Sequence, residues 1–267
     1  MARIAVDVMG SDLGPAEVVQ GAAQLSLETG DIEMLLVGDQ EQIISALMNV
    51  SHDPRRIQIQ PASESILASE APRKSVQLKP DSSIVVATKM LQNQEVDALV
   101  SAGNTGAVVV SAAEYIQRIR GVNRTALAAV YPTEKRHGPK RDPFALMLDV
   151  GATLHVDAYD LVIFAIMGAA YAGVISENTN ASVALLSNGS EAHKGAPEVV
   201  QAHRWLSELE LVNFVGNVEG LDIPRGTVDV IVCEGFLGNV ALKMLEGTME
   251  LVSDWSAQLD SPRQGRF

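Results

Sequence analysis

Short apolar runs alternate along the chain with longer segments whose apolar residues recur at helical spacing. The first apolar run covers residues 3–8, and the helical period follows over residues 15–29. The alternation continues to a last helical segment, which we predict over residues 239–259. We predict further strands at 33–37, 56–60, 97–100, 125–130, 144–150, 183–186, 212–215 and 228–233. Such alternation is typical of a mostly parallel sheet covered by helices, so we expect an α/β fold forming a single domain over residues 1–267.

Two segments depart from the simple alternation. Residues 161–175 form the longest apolar run, which is too short to span a bilayer and follows Asp157 and Asp160, so we interpret it as a buried helix. Residues 134–142 form a polar segment with four Lys or Arg residues between two predicted strands. We favour a solvated hairpin tip there, and a docking patch for an acidic partner is the alternative.

Composition narrows the class of protein. The chain has 267 residues, 47% of them hydrophobic, and a formal net charge of −13. This profile is globular, and the negative charge argues against nucleic acid as a partner. The single cysteine, Cys233, excludes a disulfide within the chain and suits a cytoplasmic protein. The five histidines are scattered, so we expect no metal site. We also expect no cofactor.

Glycine recurs beside Asn, Asp or Ser where predicted strands end. In a parallel sheet these ends meet at one edge, where ligands bind. Glycine lets backbone N–H groups approach an anion, and the start of the next helix adds partial positive charge. The segment at residues 101–106 has this layout, and we expect it to bind phosphate or a carboxylate. Its candidate binding residues are Ser101, Gly103, Asn104, Thr105 and Gly106.

Three charged residues are further candidates. Lys194 follows a predicted strand and could pair with phosphate or protonate a leaving group; a surface lysine paired with Glu191 is an equal alternative. Asp7 and Asp12 could orient a ligand, although for Asp7 we slightly favour a strand-end carboxylate that caps the following turn. No serine nucleophile motif is present, and Cys233 lies in an apolar strand. A direct transfer between two bound substrates fits these residues better than covalent catalysis.

Taken in order, these motifs resemble one enzyme family. The chain is similar to the acyl-carrier-protein:phosphate acyltransferases of bacterial phospholipid synthesis. The resemblance is carried by these segments: Ile4-Ala-Val-Asp-Val-Met-Gly-Ser-Asp-Leu-Gly-Pro15, Ser101-Ala-Gly-Asn-Thr-Gly-Ala107, Leu148-Asp-Val-Gly-Ala152, Glu191-Ala-His-Lys-Gly195, Asn213-Phe-Val-Gly-Asn-Val-Glu-Gly220 and Gly235-Phe-Leu-Gly-Asn-Val-Ala-Leu-Lys243. Thr153 stands where the family usually has Asn.

The resemblance implies a three-layer α/β/α fold like that of isopropylmalate dehydrogenase and phosphotransacetylase. It also implies a homodimer that converts long-chain acyl-acyl carrier protein and inorganic phosphate to acyl phosphate and free carrier protein. The product would feed a membrane glycerol-phosphate acyltransferase, with peripheral membrane contact possible. The residues matching the family's catalytic pair are Lys194 and Asn239, and Asn217 would help to seat phosphate beside residues 101–106.

The residues by themselves are also compatible with two other functions. One is a phosphotransacetylase-like enzyme that uses acyl-coenzyme A. The other is a non-catalytic binding or scaffold protein that keeps the fold. A dehydrogenase is the weakest interpretation, because no dinucleotide-binding glycine motif is present.

Overall fold

The computed structural model describes residues 1–260, with side chains through residue 257. The chain divides into two compact units, Met1–Arg120 and Gly121–Phe267. The single domain expected over residues 1–267 extends beyond the described residues and stays a prediction.

The first unit is a four-stranded parallel sheet with helices between its strands. Its strands pair in the order β3-β2-β1-β4. In chain order its elements are β1 (Ala2–Asp7), α1 (Pro15–Glu28), β2 (Ile32–Gly38), α2 (Gln40–Leu47), β3 (Ile57–Pro61), α3 (Pro72–Leu78), α4 (Ser83–Gln92), β4 (Ala98–Ser101) and α5 (Thr105–Tyr115). Asp7 and Ser101 are register partners at the carboxyl ends of β1 and β4.

Alternate residues along the strands of this sheet pack into two separate hydrophobic cores, one on each face. Val6 and Leu36 pack with α1 and α2 on one face. Ala5 and Leu35 pack with Ala87 of α4 on the other face. Because successive side chains of a strand point to opposite faces, the apolar runs of β1 and β2 fill both cores.

The second unit is a five-stranded sheet with one antiparallel edge strand. Its strands pair in the order β5-β6-β9-β7-β8. Its elements are β5 (Ala128–His137), β6 (Asp142–Leu148), α6 (Ala158–Ile175), β7 (Ser182–Leu186), α7 (Pro197–Ser207), β8 (Asn213–Val218), α8 (Asp222–Arg225), β9 (Val230–Val232) and α9 (Gly235–Asp260). Only β5 is antiparallel to its neighbour among the strands described here.

Helices α6 and α7 cover one face of this sheet, and α8 and α9 cover the other. This layering confirms the expected α/β/α class, although the strands form two sheets rather than one. Residues 134–142 lie at a hairpin, since β5 and β6 pair directly up to His137 and Asp142. The predicted hairpin is confirmed, but residues 134–137 belong to β5, which was predicted to end at residue 130, and His137 is buried rather than solvated.

Helix α6 is buried on one side only. Leu161, Phe164 and Ala165 lie in the core, whereas Tyr171 and Val174 are exposed. By length and composition alone it is the one helix, in the part of the chain that is described, that could cross a membrane. Because its inner face packs on the sheet, the prediction of a buried helix holds for that face.

Candidate functional site

Asp7 and Ser101 fasten the segment at residues 101–106 to the first sheet. The Asp7 side chain is fully buried. The hydroxyl of Ser101 donates to Oδ2 of Asp7 at 2.7 Å and accepts from the N–H of Gly103 at 3.1 Å. The N–H of Met9 donates to Oδ1 of Asp7 at 3.2 Å. These bonds make Asp7 and Ser101 structural anchors of the loop.

The glycines of this segment allow neighbouring loops to pack closely. A Cβ on Gly103 would lie 2.8 Å from Cα of Gly10, and one on Gly106 would lie 2.5 Å from Cγ of Pro72. Real side chains do not tolerate such distances. Close packing of Gly103 on Gly10, and of Gly106 in α5 on Pro72 in α3, is therefore sufficient reason for both glycines, independent of any ligand.

Asn104 uses both ends of its amide within the chain. Its Oδ1 accepts from the N–H of Ala107 at 3.0 Å and so caps α5. Its Nδ2 donates to the carbonyl oxygens of Leu67 and Glu70 at 3.0 and 3.1 Å. Asn104 thus fixes the start of α5 against residues 67–70.

Within this segment, Thr105 is the residue best placed to contact a ligand. It is exposed at the first position of α5, where backbone N–H groups have no partner within the helix. Asp12 is also exposed, in the loop between β1 and α1. The binding roles predicted for Asp7, Asp12 and residues 101–106 stay predictions.

Lys194 lies in a tight turn between β7 and α7 of the second unit. The backbone N–H of Lys194 donates to the carbonyl of Glu191 at 3.0 Å. Gly195 follows with φ of 104°, and a Cβ there would come within 2.9 Å of Oγ of Ser187. The glycine therefore permits both the turn and its close packing on the end of β7.

The ammonium group of Lys194 has no carboxylate within 4.0 Å among the described residues. The surface ion pair with Glu191, which the sequence left as an equal alternative, is not formed. The side chain is half-buried, with its aliphatic part beside Gly189. The ammonium group therefore remains available to an anion.

Asn217 supports this turn from inside a strand. It was expected in a strand-end turn, but β8 continues to Val218, so Asn217 pairs with Leu185 of β7. Its Nδ2 donates to the carbonyl of Glu191, and its Oδ1 contacts Nδ1 of His203, both at 3.0 Å. Since that Oδ1 can only accept, Nδ1 of His203 carries the proton.

His203 was not identified from the sequence as a site residue. Its ring also packs edge-on against Phe214 at a centroid distance of 5.1 Å. A histidine seven residues into a helix carries no local signal of this role. Only the pairing of β8 with β7 brings Asn217 next to α7.

Asn239 lies in the first turns of α9, because that helix begins at Gly235 rather than at residue 239 as expected. The four residues before Asn239, 235–238, are also helical, and Thr153 caps this start: its Oγ1 accepts from the N–H of Gly235 at 3.1 Å. Asn239 is exposed, and its Nδ2 donates to the carbonyl of Val150 at 3.1 Å. An amide nitrogen carries two hydrogens, so one remains available to a ligand.

The carboxylate of Asp149 fixes the loop that follows β6 through hydrogen bonds. Its fully buried carboxylate accepts from the N–H groups of Leu127, Gly151, Ala152 and Thr153 at 2.8–3.0 Å. The hydroxyl of Thr153 adds a bond to Oδ2 at 2.8 Å. Thr153, the residue that departs from the family's Asn, therefore links Asp149 to the start of α9.

A cavity of about 410 Å³ opens at the carboxyl ends of β7 and β9. Its lining includes Gly195, next to Lys194, and Leu237, two residues before Asn239. Lys194 and Asn239 do not line the cavity themselves, although their neighbours Gly195 and Leu237 do. Sequence reasoning did not identify this cavity, since its walls come from four helices that are distant in the chain.

A polar cluster around Asp229 was also missed. His137, Asn178 and Ser182 all contact its carboxylate. Burial alone would raise the pKa of Asp229, but the hydrogen bonds from His137 and Ser182 outweigh it and hold that pKa at about 2. The cluster joins the β5–β6 hairpin to the starts of β7 and β9, and its role is structural.

The fold resembles that of known phosphotransacetylases. The enzyme from Streptococcus pyogenes matches with a TM-score of 0.66 and 17% identity, covering 93% of this chain and 82% of the other. The EutD phosphotransacetylase from Staphylococcus aureus matches with a TM-score of 0.63 and 17% identity over 93% and 82% of the two chains. At this identity the likeness defines the class of fold alone.

Sequence comparison defines the family. A family model described as "Fatty acid synthesis protein" matches residues 2–258. A phosphate acyltransferase from Desulfitobacterium hafniense (strain Y51) is 46% identical over 248 residues, 92% of this chain and 71% of the relative. Another from Dictyoglomus turgidum is 41% identical over 252 residues, 94% of this chain and 73% of the relative.

The fold class is therefore that of the phosphotransacetylase-like α/β enzymes. Within that class, the chain belongs to the fatty acid synthesis protein family of phosphate acyltransferases.

Proposed function

We propose that this chain transfers the acyl group of a long-chain acyl-acyl carrier protein to inorganic phosphate, giving acyl phosphate and free carrier protein. The observation that carries the proposal is the ammonium of Lys194, which forms no ion pair among the described residues and whose neighbour Gly195 lines a largely apolar cavity. A cation suits phosphate, and an apolar cavity suits an acyl chain. The family membership supplies the reaction class.

In the proposed reaction a phosphate oxygen attacks the thioester carbonyl carbon. A new C–O bond forms, the C–S bond breaks, and the thiolate leaves with the electron pair of that bond. Lys194 holds the phosphate and offers a proton to the departing sulfur. Its charge matters more than usual, because the net charge of −13 otherwise repels phosphate.

Asn239 stabilises the negative charge that develops on the carbonyl oxygen. Its Nδ2 is already oriented by the bond to the carbonyl of Val150, which leaves its second hydrogen for this oxyanion. A fixed donor of this kind typically contributes about 10²–10³ in rate. Asn217 acts indirectly, because it holds the turn that carries Lys194.

The segment at residues 101–106 offers a second set of anion donors. Within the first unit, we propose that the hydroxyl of Thr105 and the backbone N–H groups of Thr105 and Gly106, at the start of α5, offer phosphate contacts of their own. Ser101, Gly103 and Asn104 shape the segment through the contacts described above, and Asp7 anchors it. Asp12 is assigned a minor orienting role.

The wider setting follows from the family resemblance. We place the reaction in the cytoplasm, in phospholipid synthesis, with the enzyme as a homodimer and a membrane glycerol-phosphate acyltransferase as the consumer of acyl phosphate. Peripheral membrane contact would shorten the path of this reactive product.

Thiol release from acyl-acyl carrier protein, measured with and without phosphate, tests the proposal. We expect release only when phosphate is present, together with acyl phosphate that hydroxylamine converts to a hydroxamate. Thiol release without phosphate would overturn it. The same acyl group presented on coenzyme A is the comparison donor; a higher kcat/KM for that donor would identify a coenzyme A-dependent enzyme instead. Anion binding without turnover of either donor would identify a binding protein.

A further inference from the structure

We propose that Gly189 is a positioning residue for Lys194, because a glycine leaves the space that the aliphatic part of the Lys194 side chain occupies. Gly189 lies in the loop that joins β7 to α7, and Lys194 follows later in the same loop. The catalytic meaning of this contact rests on the proposed function. The contact itself and the burial of Gly189 do not.

The side chain of Lys194 lies across Gly189. A Cβ on Gly189 would be 2.8 Å from Cγ and 3.2 Å from Cδ of Lys194. Non-bonded carbon atoms rest about 3.5–4.0 Å apart, so both distances are too short. Gly189 is buried, whereas Asn188 and Ser190 on either side of it are exposed. Any side chain at residue 189 would therefore displace the aliphatic part of Lys194.

The carboxylate of Glu191 approaches the same space. Its Oε2 would lie 2.9 Å from a Cβ on Gly189. The ammonium group of Lys194 nevertheless has no carboxylate within 4.0 Å among the residues that the structure describes. Gly189 thus provides room for both side chains while the ammonium group stays free of an ion pair.

Strand β8 fixes the backbone on both sides of this contact. The N–H of Ser187 donates to the carbonyl of Val218 at 2.9 Å, which holds the start of the loop. Asn217 donates to the carbonyl of Glu191 at 3.0 Å, which holds the turn before Lys194. Because both backbone segments are held, crowding between them would be relieved by movement of the flexible Lys194 side chain.

The backbone conformation of Gly189 does not require a glycine. Gly195 has a φ of 104°, but Gly189 is not among the residues with positive φ. An alanine at residue 189 therefore avoids the strain of a left-handed backbone. The atoms nearest to its Cβ would belong to two side chains and not to the backbone. We expect this glycine to matter more for the position of Lys194 than for folding.

Gly189→Ala tests this role through the binding of inorganic phosphate to the full chain, measured by isothermal titration calorimetry without an acyl donor. Displacement of the ammonium group should weaken binding by about tenfold, as for a lost hydrogen bond to a charged group. Gly30→Ala is the matched control and should leave binding unchanged. Gly30 lies in the loop before β2, has no positive φ, and a Cβ there meets only Nη2 of Arg56 at 3.7 Å.

A double-mutant cycle with Lys194→Ala separates positioning from a general effect on the loop. If Gly189 acts through Lys194, Gly189→Ala should cause no further loss in a Lys194→Ala chain, because the displaced group is already absent. The same loss in both backgrounds would overturn the inference, and so would unchanged binding by Gly189→Ala alone. If Lys194→Ala abolishes measurable binding, steady-state kinetics decide. Gly189→Ala should then raise KM for phosphate and leave KM for the acyl donor unchanged, whereas an equal rise in both would reject the role.

Urea unfolding measures the fold of each variant. Gly189→Ala should unfold at the same urea concentration as wild type, and a large destabilisation would overturn the claim that this glycine serves Lys194 rather than the fold. The same substitution in a Glu191→Ala chain removes the contact with Oε2 and keeps the one with Lys194. Phosphate binding should stay weak in that double variant. Recovery of wild-type affinity would assign the effect to Glu191 and reject the inference.

These measurements distinguish failure of the inference from failure of the proposed function. Phosphate-dependent turnover with unchanged phosphate binding in Gly189→Ala would reject the role of Gly189 and keep the reaction. A loss of phosphate binding that depends on Lys194, without any phosphate-dependent turnover, would keep the role of Gly189 and reject the reaction.

Discussion

Asn217 and Lys194 donate to the same acceptor, the carbonyl oxygen of Glu191. The side-chain Nδ2 of Asn217 reaches it from β8, and the backbone N–H of Lys194 reaches it from within the turn, both at 3.0 Å. A buried strand residue therefore fixes the turn that presents the unpaired ammonium. The position of Lys194 depends on the sheet and not only on its own loop.

Replacing Asn217 should reduce activity more than stability. Asn217→Ala removes the bond to Glu191, which should lower kcat/KM by about 10–100-fold because the turn is no longer held in place. The lost hydrogen bonds should cost about 1–2 kcal/mol in the free energy of unfolding. Steady-state kinetics and urea denaturation measure the two effects.

Asn213→Ala is the matched control, because Asn213 lies on the same strand and its amide bonds to the carbonyl of Asn180 instead. It should leave kcat/KM within about twofold of wild type, as expected for surface substitutions away from a site. Equal losses of activity in the two variants would reject the supporting role of Asn217.

Thr153 should be replaceable by serine but not by valine. Its hydroxyl joins Oδ2 of Asp149 to the N–H of Gly235, so Thr153→Val leaves a buried carboxylate short of one donor. That change should lower the free energy of unfolding by about 1–3 kcal/mol, whereas Thr153→Ser keeps both bonds. Thermal or urea unfolding distinguishes them, and equal stabilities would contradict the role of the hydroxyl.

Asp229 should make the second unit sensitive to acid. The pKa of Asp229 in the folded chain is about 2, below its usual value near 4. A lowered pKa contributes stability that is present above the unfolded pKa and is lost as pH falls through the folded one. Stability of the wild type should therefore decline between about pH 4 and pH 2.

Asp229→Asn should remove part of that decline and lower the free energy of unfolding at pH 7 by about 1–3 kcal/mol. Glu210→Gln is a control, since Glu210 is exposed. Urea unfolding at pH 7 and pH 3 measures both. A variant as stable as wild type at pH 7 would reject the stabilising role of the Asp229 carboxylate.

The basic residues at the β5–β6 hairpin are the best candidates to bind an acidic carrier protein. Lys135 and Arg136 are exposed, whereas Lys140 is paired with Glu177. Reversing both charges, Lys135→Glu with Arg136→Glu, should raise KM for the carrier-protein donor severalfold and leave KM for phosphate unchanged. Lys74→Glu, at an exposed position of α3, controls for net charge. An unchanged KM for the donor would reject this docking surface.

The fold class was predictable because its signal is local. Apolar runs and helical periods located the strands and the longer helices, with errors of a few residues at most ends and of seven residues at the end of β5. Two short helices, α3 and α8, were missed because seven and four residues are too few to show a period. The division into two sheets was also missed, since alternation does not reveal which strands pair.

The candidate site was less predictable. The motif containing Lys194 was visible in the sequence, but the absence of an ion pair with Glu191 was not. Asn104 looked like a ligand donor because its neighbours are glycines, yet its amide bonds to residues 67–70, which are distant in the chain. Contacts of this kind depend on tertiary packing, and the cavity beside Lys194 does too.

The most direct test of the central claim is the fate of labelled phosphate. With ¹⁸O-labelled phosphate and acyl-acyl carrier protein, mass spectrometry of the product should show acyl phosphate that retains all the labelled oxygens of the phosphate. Lys194→Ala should reduce its formation by about 10²-fold or more, within the range expected for a lost transition-state interaction. Unlabelled fatty acid as the sole acyl product, formed at the same rate by wild type and by Lys194→Ala, would contradict the account.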